Sequence, residues 1–355
     1  MKPLFTSDEW KKVSSTWDSF WSNKLKRPLI LFNISTNSSN KSLNFKRYFP
    51  QYDNATPMQN IMAAEIDNIE QIKFLGDAYP YRFTNFGPGS MATYFGSELG
   101  FDENTVWYKH LDKELADIDL KLDTNGYWFN RIKSLQENLV SSIGSEAVVT
   151  YSDLGGNLDI LASLRGSEKL LYDLYDCPDI VEKKVNEITT LWLKCYHDES
   201  ERIKKSGRGF APWAPIYSST KTTYMLQCDF SYMISPDMFE RFVLPDIREC
   251  CNHVDIPFFH LDGKGELPHL DLLLSLPKLK GVQWIPGAGQ PEASEWLEVL
   301  EKIRAAGKMV QIYNTIEGIM NLKKKMSLEG FIIQLHMPEG ITEKEMMDVY
   351  NELIS

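Results

Sequence analysis

Residues 256–289 read IPFFHLDGKGELPHLDLLLSLPKLKGVQWIPGAG. A short apolar run (Ile256, Phe258, Phe259) stops abruptly at His260, Leu261, Asp262 and Gly263. A strand that ends this way sets polar groups at its terminus, where α/β enzymes keep their chemistry. Pro268 to Leu276 is apolar at helical spacing, and a second short strand follows over Gly281 to Ile285. It ends in a turn rich in Pro and Gly, Pro286-Gly287-Ala288-Gly289. Strand, polar loop, helix and strand make a βαβ unit, so the two strands should run parallel.

Working outward, the same alternation recurs. Strand-like segments that precede helices fall near residues 30, 82, 149, 213, 258, 283, 311 and 333. Repeated βα units imply a parallel sheet, and eight of them imply a closed barrel. The expected fold class is α/β: a single (β/α)8 TIM barrel over 1–355 with a helical N-terminal extension over 1–28. In that extension, 7–23 reads as a helix with Ser7 as N-cap and Trp10, Val13, Trp17 and Phe20 on one face. A second helix is expected from Thr56-Pro57 to about Phe74, and Pro245 should kink the helix that follows Ser235-Pro236-Asp237. The polar stretch Ser35 to Lys46 reads as a loop or lid.

Composition narrows the function classes. The formal net charge is −11, and the one basic run, Lys323-Lys324-Lys325, lies in a helical pattern. That balance speaks against nucleic-acid binding, which needs clustered Lys and Arg. No run approaches the roughly 20 apolar residues of a membrane span, and MKPLFTSDEWKK lacks a signal-peptide core. Five cysteines (177, 195, 228, 250, 251) show no paired spacing and argue against a disulfide framework. A cytoplasmic setting is the plain expectation.

In a barrel, strand C-termini open on one face, so residues distant in sequence converge there. The expected substrate-binding residues are Asn85, Asp153, Trp213, Tyr217, Asp229, Trp284 and Tyr313. This mostly aromatic set suits a small organic molecule. His260, Asp262 and His336 form the sharpest group. Imidazole is a common metal ligand, and His, Asp and His are a set suited to a catalytic zinc with one open position. The alternative is a pair of metal-free histidines that hydrogen-bond substrate. Asp229 can equally be a loop residue making local backbone bonds, and Cys228 a buried inert thiol rather than a reactive one.

HLDG at 260–263 followed by a helix and QWIPGAG at 283–289 resembles the uroporphyrinogen decarboxylase superfamily. LQCDFS at 226–231, SPDMF at 235–239 and DLGGN at 153–157 fit as well, so the resemblance covers roughly 80–355. The pattern is most similar to its decarboxylase-like members and to the methyltransferases of corrinoid-dependent methyl metabolism. That resemblance implies a methyltransferase exchanging a methyl group between a small methylated compound, or a thiol, and a corrinoid on a partner protein. It also implies zinc, held in those relatives by a His-x-Cys and a further Cys. Here Asp262 and His336 stand where the two cysteines would be, which departs from thiolate ligation. A tetrapyrrole decarboxylase is the second possibility. Its Arg-rich segment after the first strand is replaced here by Asn33-Ile-Ser-Thr-Asn-Ser38, without an Arg. A non-catalytic barrel that binds a small molecule or corrinoid is the third.

Overall fold

The computed structural model describes residues 1–35, 45–336, 338 and 340–355. Most of the expected polar loop after Ser35, and the end of the Asn33–Ser38 stretch, lie outside the described residues. The strands in chain order are β1 (Leu29–Ser35), β2 (Ile72–Gly76), β3 (Tyr81–Arg82), β4 (Leu99–Phe101), β5 (Val106–Tyr108), β6 (Val148–Val149), β7 (Thr223–Leu226), β8 (Ile256–Asp262), β9 (Gly281–Ile285), β10 (Met309–Thr315) and β11 (Phe331–His336). Seven of them form one sheet in the order β2-β1-β11-β10-β9-β8-β7. The ladders from β7 round to β1 are parallel, as the βαβ reading required. The β4–β5 hairpin stands apart.

The pairing departs from a regular closed ring. β2 runs antiparallel along the other edge of β1, pairing Leu31 with Gly76 through Ser35 with Ile72. That edge is therefore taken, and β3 pairs instead with β6 in a separate parallel two-stranded sheet. The expected strand near 213 is also corrected. Phe210 folds back onto Ser218 through an isolated antiparallel bridge, and the strand of this region is β7 at 223–226. The expected long second helix is split into a helix, Met58–Ile69, and β2. The Pro245 kink is present as a break at Val243 between the helices Pro236–Phe242 and Leu244–His253.

The helix Ser7–Trp21 is capped by Thr6, one residue before the expected cap Ser7. The Thr6 side chain accepts from the Glu9 N–H, and Glu9 returns the bond to the Thr6 backbone. Its apolar face (Trp10, Val13, Trp17, Phe20) is buried, as the spacing predicted. Trp17 stands edge-on between Tyr79 at 5.7 Å and Tyr217 at 5.9 Å, and its indole N–H donates to the Asp77 carbonyl at 2.9 Å. Trp21 meets Phe258, near the start of β8, at 6.0 Å. The helix thus closes the end of the sheet where strands begin, leaving the strand C-termini as the open end.

Side chains two apart on a strand share a face. On β8, Phe258, His260 and Asp262 face inward, while Phe259 packs outward on Phe239 of the helix layer. β8 stops at Gly263, whose φ of +80° a side chain would resist and whose N–H closes onto the Ile285 carbonyl at 2.7 Å.

Candidate functional site

His260 and Asp262 rise together from the end of β8, with His260 Nε2 3.9 Å from Asp262 Oδ2. Asp229 joins them from the turn after β7, at the start of the short 3-10 helix Asp229–Met233. One ligand atom from each of Asp229, His260 and Asp262 lies within 4.8 Å of the others. Asp159 fixes that turn, accepting the N–H of Asp229 at 3.2 Å and of Phe230 at 2.8 Å. Glu266 fixes the other side, accepting the Asp262 N–H at 2.9 Å.

A relay of amides sets the proton on His260. The Gln311 Nε2 donates to the Ile312 carbonyl, which can only accept, so its Oε1 must face Gln283. Gln283 Nε2 donates there, so Gln283 Oε1 is what meets His260 Nδ1. Nδ1 is then the donor, and in the neutral ring the lone pair sits on Nε2, towards the two carboxylates. The relay runs along one rung of the sheet, because His260 and Gln311 are both in register with Gln283. Both glutamines are fully buried.

The group lies between two clefts. The first, about 280 Å³, is lined by Asn85, Asp153, Trp213, Gln227, Asp229 and His260, among others. Trp213 stands edge-on to the His260 ring at 5.1 Å. Asn85 is engaged in its own turn, accepting from the Gly87 N–H and donating to the Arg47 carbonyl, both at 3.0 Å. The second cleft, about 410 Å³, is lined by Asp262, Pro286, Glu292, Tyr313 and His336, among others. There the His336 ring stacks on Tyr313 with centroids 6.2 Å apart.

Burial makes the carboxyl groups of the mouth weaker acids than usual. Asp153 is pushed up to about 8, first by burial and then by the charge of Asp229. Burial likewise pushes Glu266 up to about 9. Asp159 and Asp229 are both raised by loss of water and interact with each other, while His260 pulls Asp229 back down. The buried Cys228 thiol is pushed well above its ordinary value, which fits the inert reading.

Of the expected site residues, the structure brings Asn85, Asp153, Trp213, Asp229 and His260 together, with Tyr313 and His336 across Asp262. His336 is outside the close group of atoms that could hold an ion, and Asp229 stands with His260 and Asp262 instead. β11 carries His336 to an exposed position over Tyr313 rather than over His260. Two residues are elsewhere. Trp284 alternates out of phase with Gln283, is fully buried, and packs on Trp296 of the outer layer at 5.3 Å. Tyr217 is at the opposite end, stacked on Tyr79 at 4.6 Å with its hydroxyl 3.3 Å from Ser14 Oγ. Gln283, Gln311, Asp159 and Glu266 were missed. The period-2 alternation of β9, set against inward His260, was the signal for Gln283.

No family model and no curated protein sequence matches the chain. A solved structure of a methyltransferase from Methanosarcina mazei is similar in fold, with a TM-score of 0.56 at 11% identity over 84% of this chain and 85% of that one. At that identity the likeness concerns the α/β fold. Among the described residues no helix is long and apolar enough to cross a membrane.

Proposed function

We propose that the chain is a methyltransferase whose chemistry takes place at Asp229, His260 and Asp262, with a divalent ion such as zinc held between them. The observation that carries this reading is the His260 relay, which occupies Nδ1 and leaves Nε2 free beside the carboxylates. The donor set fits a hard or borderline dication. Asp229, His260 and Asp262, each with a ligand atom within 4.8 Å of the others, would be the residues to hold it. Bound zinc supplies a Lewis acid that polarises a heteroatom or holds a thiol as thiolate. Gln283 orients the ligating imidazole, as partners of metal-bound histidines commonly do. Asp159 and Glu266 hold the two loops that carry the carboxylates.

Two clefts meeting at one group suit a reaction with two organic partners. On this reading the whole chain, 1–355, is one (β/α)8 barrel domain, and a small methylated compound or thiol exchanges its methyl group with a corrinoid on a partner protein. The likeness in fold to a methyltransferase agrees with it. The test combines element analysis with a spectroscopic assay of free methylcobalamin demethylation by small thiols and amines. The reading expects a bound dication and exchange that depends on His260. Protein that binds no dication and exchanges no methyl group overturns it.

A further inference from the structure

A second pair of groups suited to an ion lies outside the mouth, on the helical layer. His197 is on the long helix Pro178–Ile203, and His253 is the last residue of the helix Leu244–His253. The two helices are already joined in the interior, where Thr189 Oγ1 is 2.7 Å from Asp246 Oδ1. At the surface both imidazoles are exposed, with ring centroids 5.5 Å apart and His197 Nε2 3.4 Å from His253 Nδ1.

The protons of this pair are ordered from one end. The Glu249 carboxylate accepts from His253 Nε2 at 3.2 Å, and Asn252 steadies it by donating at 3.1 Å. His253 Nε2 therefore carries a proton, and in the neutral ring the lone pair is left on Nδ1, facing His197. In the neutral pair a single proton, that of His197 Nε2, bridges the two rings. A dication can take its place once His197 carries its proton on Nδ1. At a Zn–N distance of about 2.1 Å, the tetrahedral angle spaces two ligand nitrogens about 3.4 Å apart. That is the separation found here. A ligating histidine commonly passes its other ring N–H to a carboxylate, which is the part Glu249 plays.

We propose that His197 and His253 form a second, outer metal site that takes a borderline dication such as zinc, with water completing its shell. Imidazole suits such ions, whereas magnesium prefers oxygen. With two protein ligands the ion exchanges readily and washes out on purification, unlike the one proposed at Asp229, His260 and Asp262. Its effect is to clamp the two helices together at the surface. The site does not rest on the methyltransferase reading, and its test requires no turnover.

Full-length His260→Ala protein, in which the inner site is disabled, is titrated calorimetrically with zinc chloride. About one equivalent should bind, and excess magnesium chloride should not displace it. His197→Ala and His253→Ala, each added to that background, should weaken binding more than about tenfold, and Glu249→Gln should weaken it about tenfold. Only the folded chain brings the two helices together. Zinc should therefore raise the thermal midpoint of the His260→Ala protein and leave that of the His253→Ala double variant unchanged. If His260→Ala does not fold, the same substitutions are made in the parent chain, where this site is the weaker of two. Zinc binding that persists undiminished in His253→Ala, displacement by magnesium, or the absence of saturable binding overturns the proposal.

Discussion

Asp262 Oδ2 lies 3.9 Å from His260 Nε2, too far for a hydrogen bond and close enough for both atoms to reach one ion. The relationship follows from the strand itself. Residues 260 and 262 share the inward face of β8, and Gly263 ends the strand before either is carried away. The imidazole and the carboxylate are thus placed by backbone geometry, and the third group comes from the β7 turn.

The amide relay behind His260 yields the first prediction. Gln283→Leu leaves Gln311 Oε1 and His260 Nδ1 without their buried partner. Each orphaned group costs about 1–3 kcal/mol, and loss of ring orientation should weaken metal binding about 10–100-fold. Denaturant unfolding and metal titration check both numbers. Unchanged metal affinity in a folded Gln283→Leu protein would show that the ring needs no such support.

Trp284 yields the second. It is fully buried against Trp296, on the opposite face of β9 from Gln283. Trp284→Ala should cost about 3–5 kcal/mol of stability and leave metal and small-molecule affinities of the folded protein unchanged. A selective loss of ligand binding with stability intact would contradict the outward orientation.

The raised carboxyl groups yield the third. Asp153 and Glu266 are raised to about 8 and about 9, so the folded protein keeps protons that the unfolded chain gives up near pH ~4. Their contribution to stability is therefore full below that range and is lost as pH rises through the folded values. The thermal midpoint of metal-free protein should fall steadily from about pH 5 to about pH 9, each group costing up to ~1.4 kcal/mol per pH unit. Asp153→Asn should flatten part of the slope. A midpoint that holds constant or rises over that interval rules out these buried protonated groups.

Much of this architecture was legible in the chain. The run of β8 into His260, Asp262 and Gly263 pointed to the parallel sheet and to the candidate site, because the strand is short, apolar and sharply punctuated at its end. The N-terminal helix was equally plain from its spacing. What was hidden depends on direction rather than kind. Trp284 and Tyr217 read as mouth aromatics because a Trp or Tyr looks alike on either face of a strand or at either end of a sheet. Their placement came from the phase of β9 and the fold-back at Phe210 and Ser218. That Asp229 rather than His336 joins His260 and Asp262 depended on how far a turn and a strand end project, which spacing in sequence does not encode. β2 interrupts the expected ring for a similar reason: its five residues continue a helical apolar pattern and reveal themselves only by pairing with β1.

Metal content of purified full-length variants, measured by element analysis without chelator, decides whether Asp229, His260 and Asp262 hold an ion. About one divalent ion per chain is expected, lost in His260→Ala and in Asp229→Ala but retained in His336→Ala. Protein without bound metal, or metal retained in Asp229→Ala and lost in His336→Ala, would contradict it.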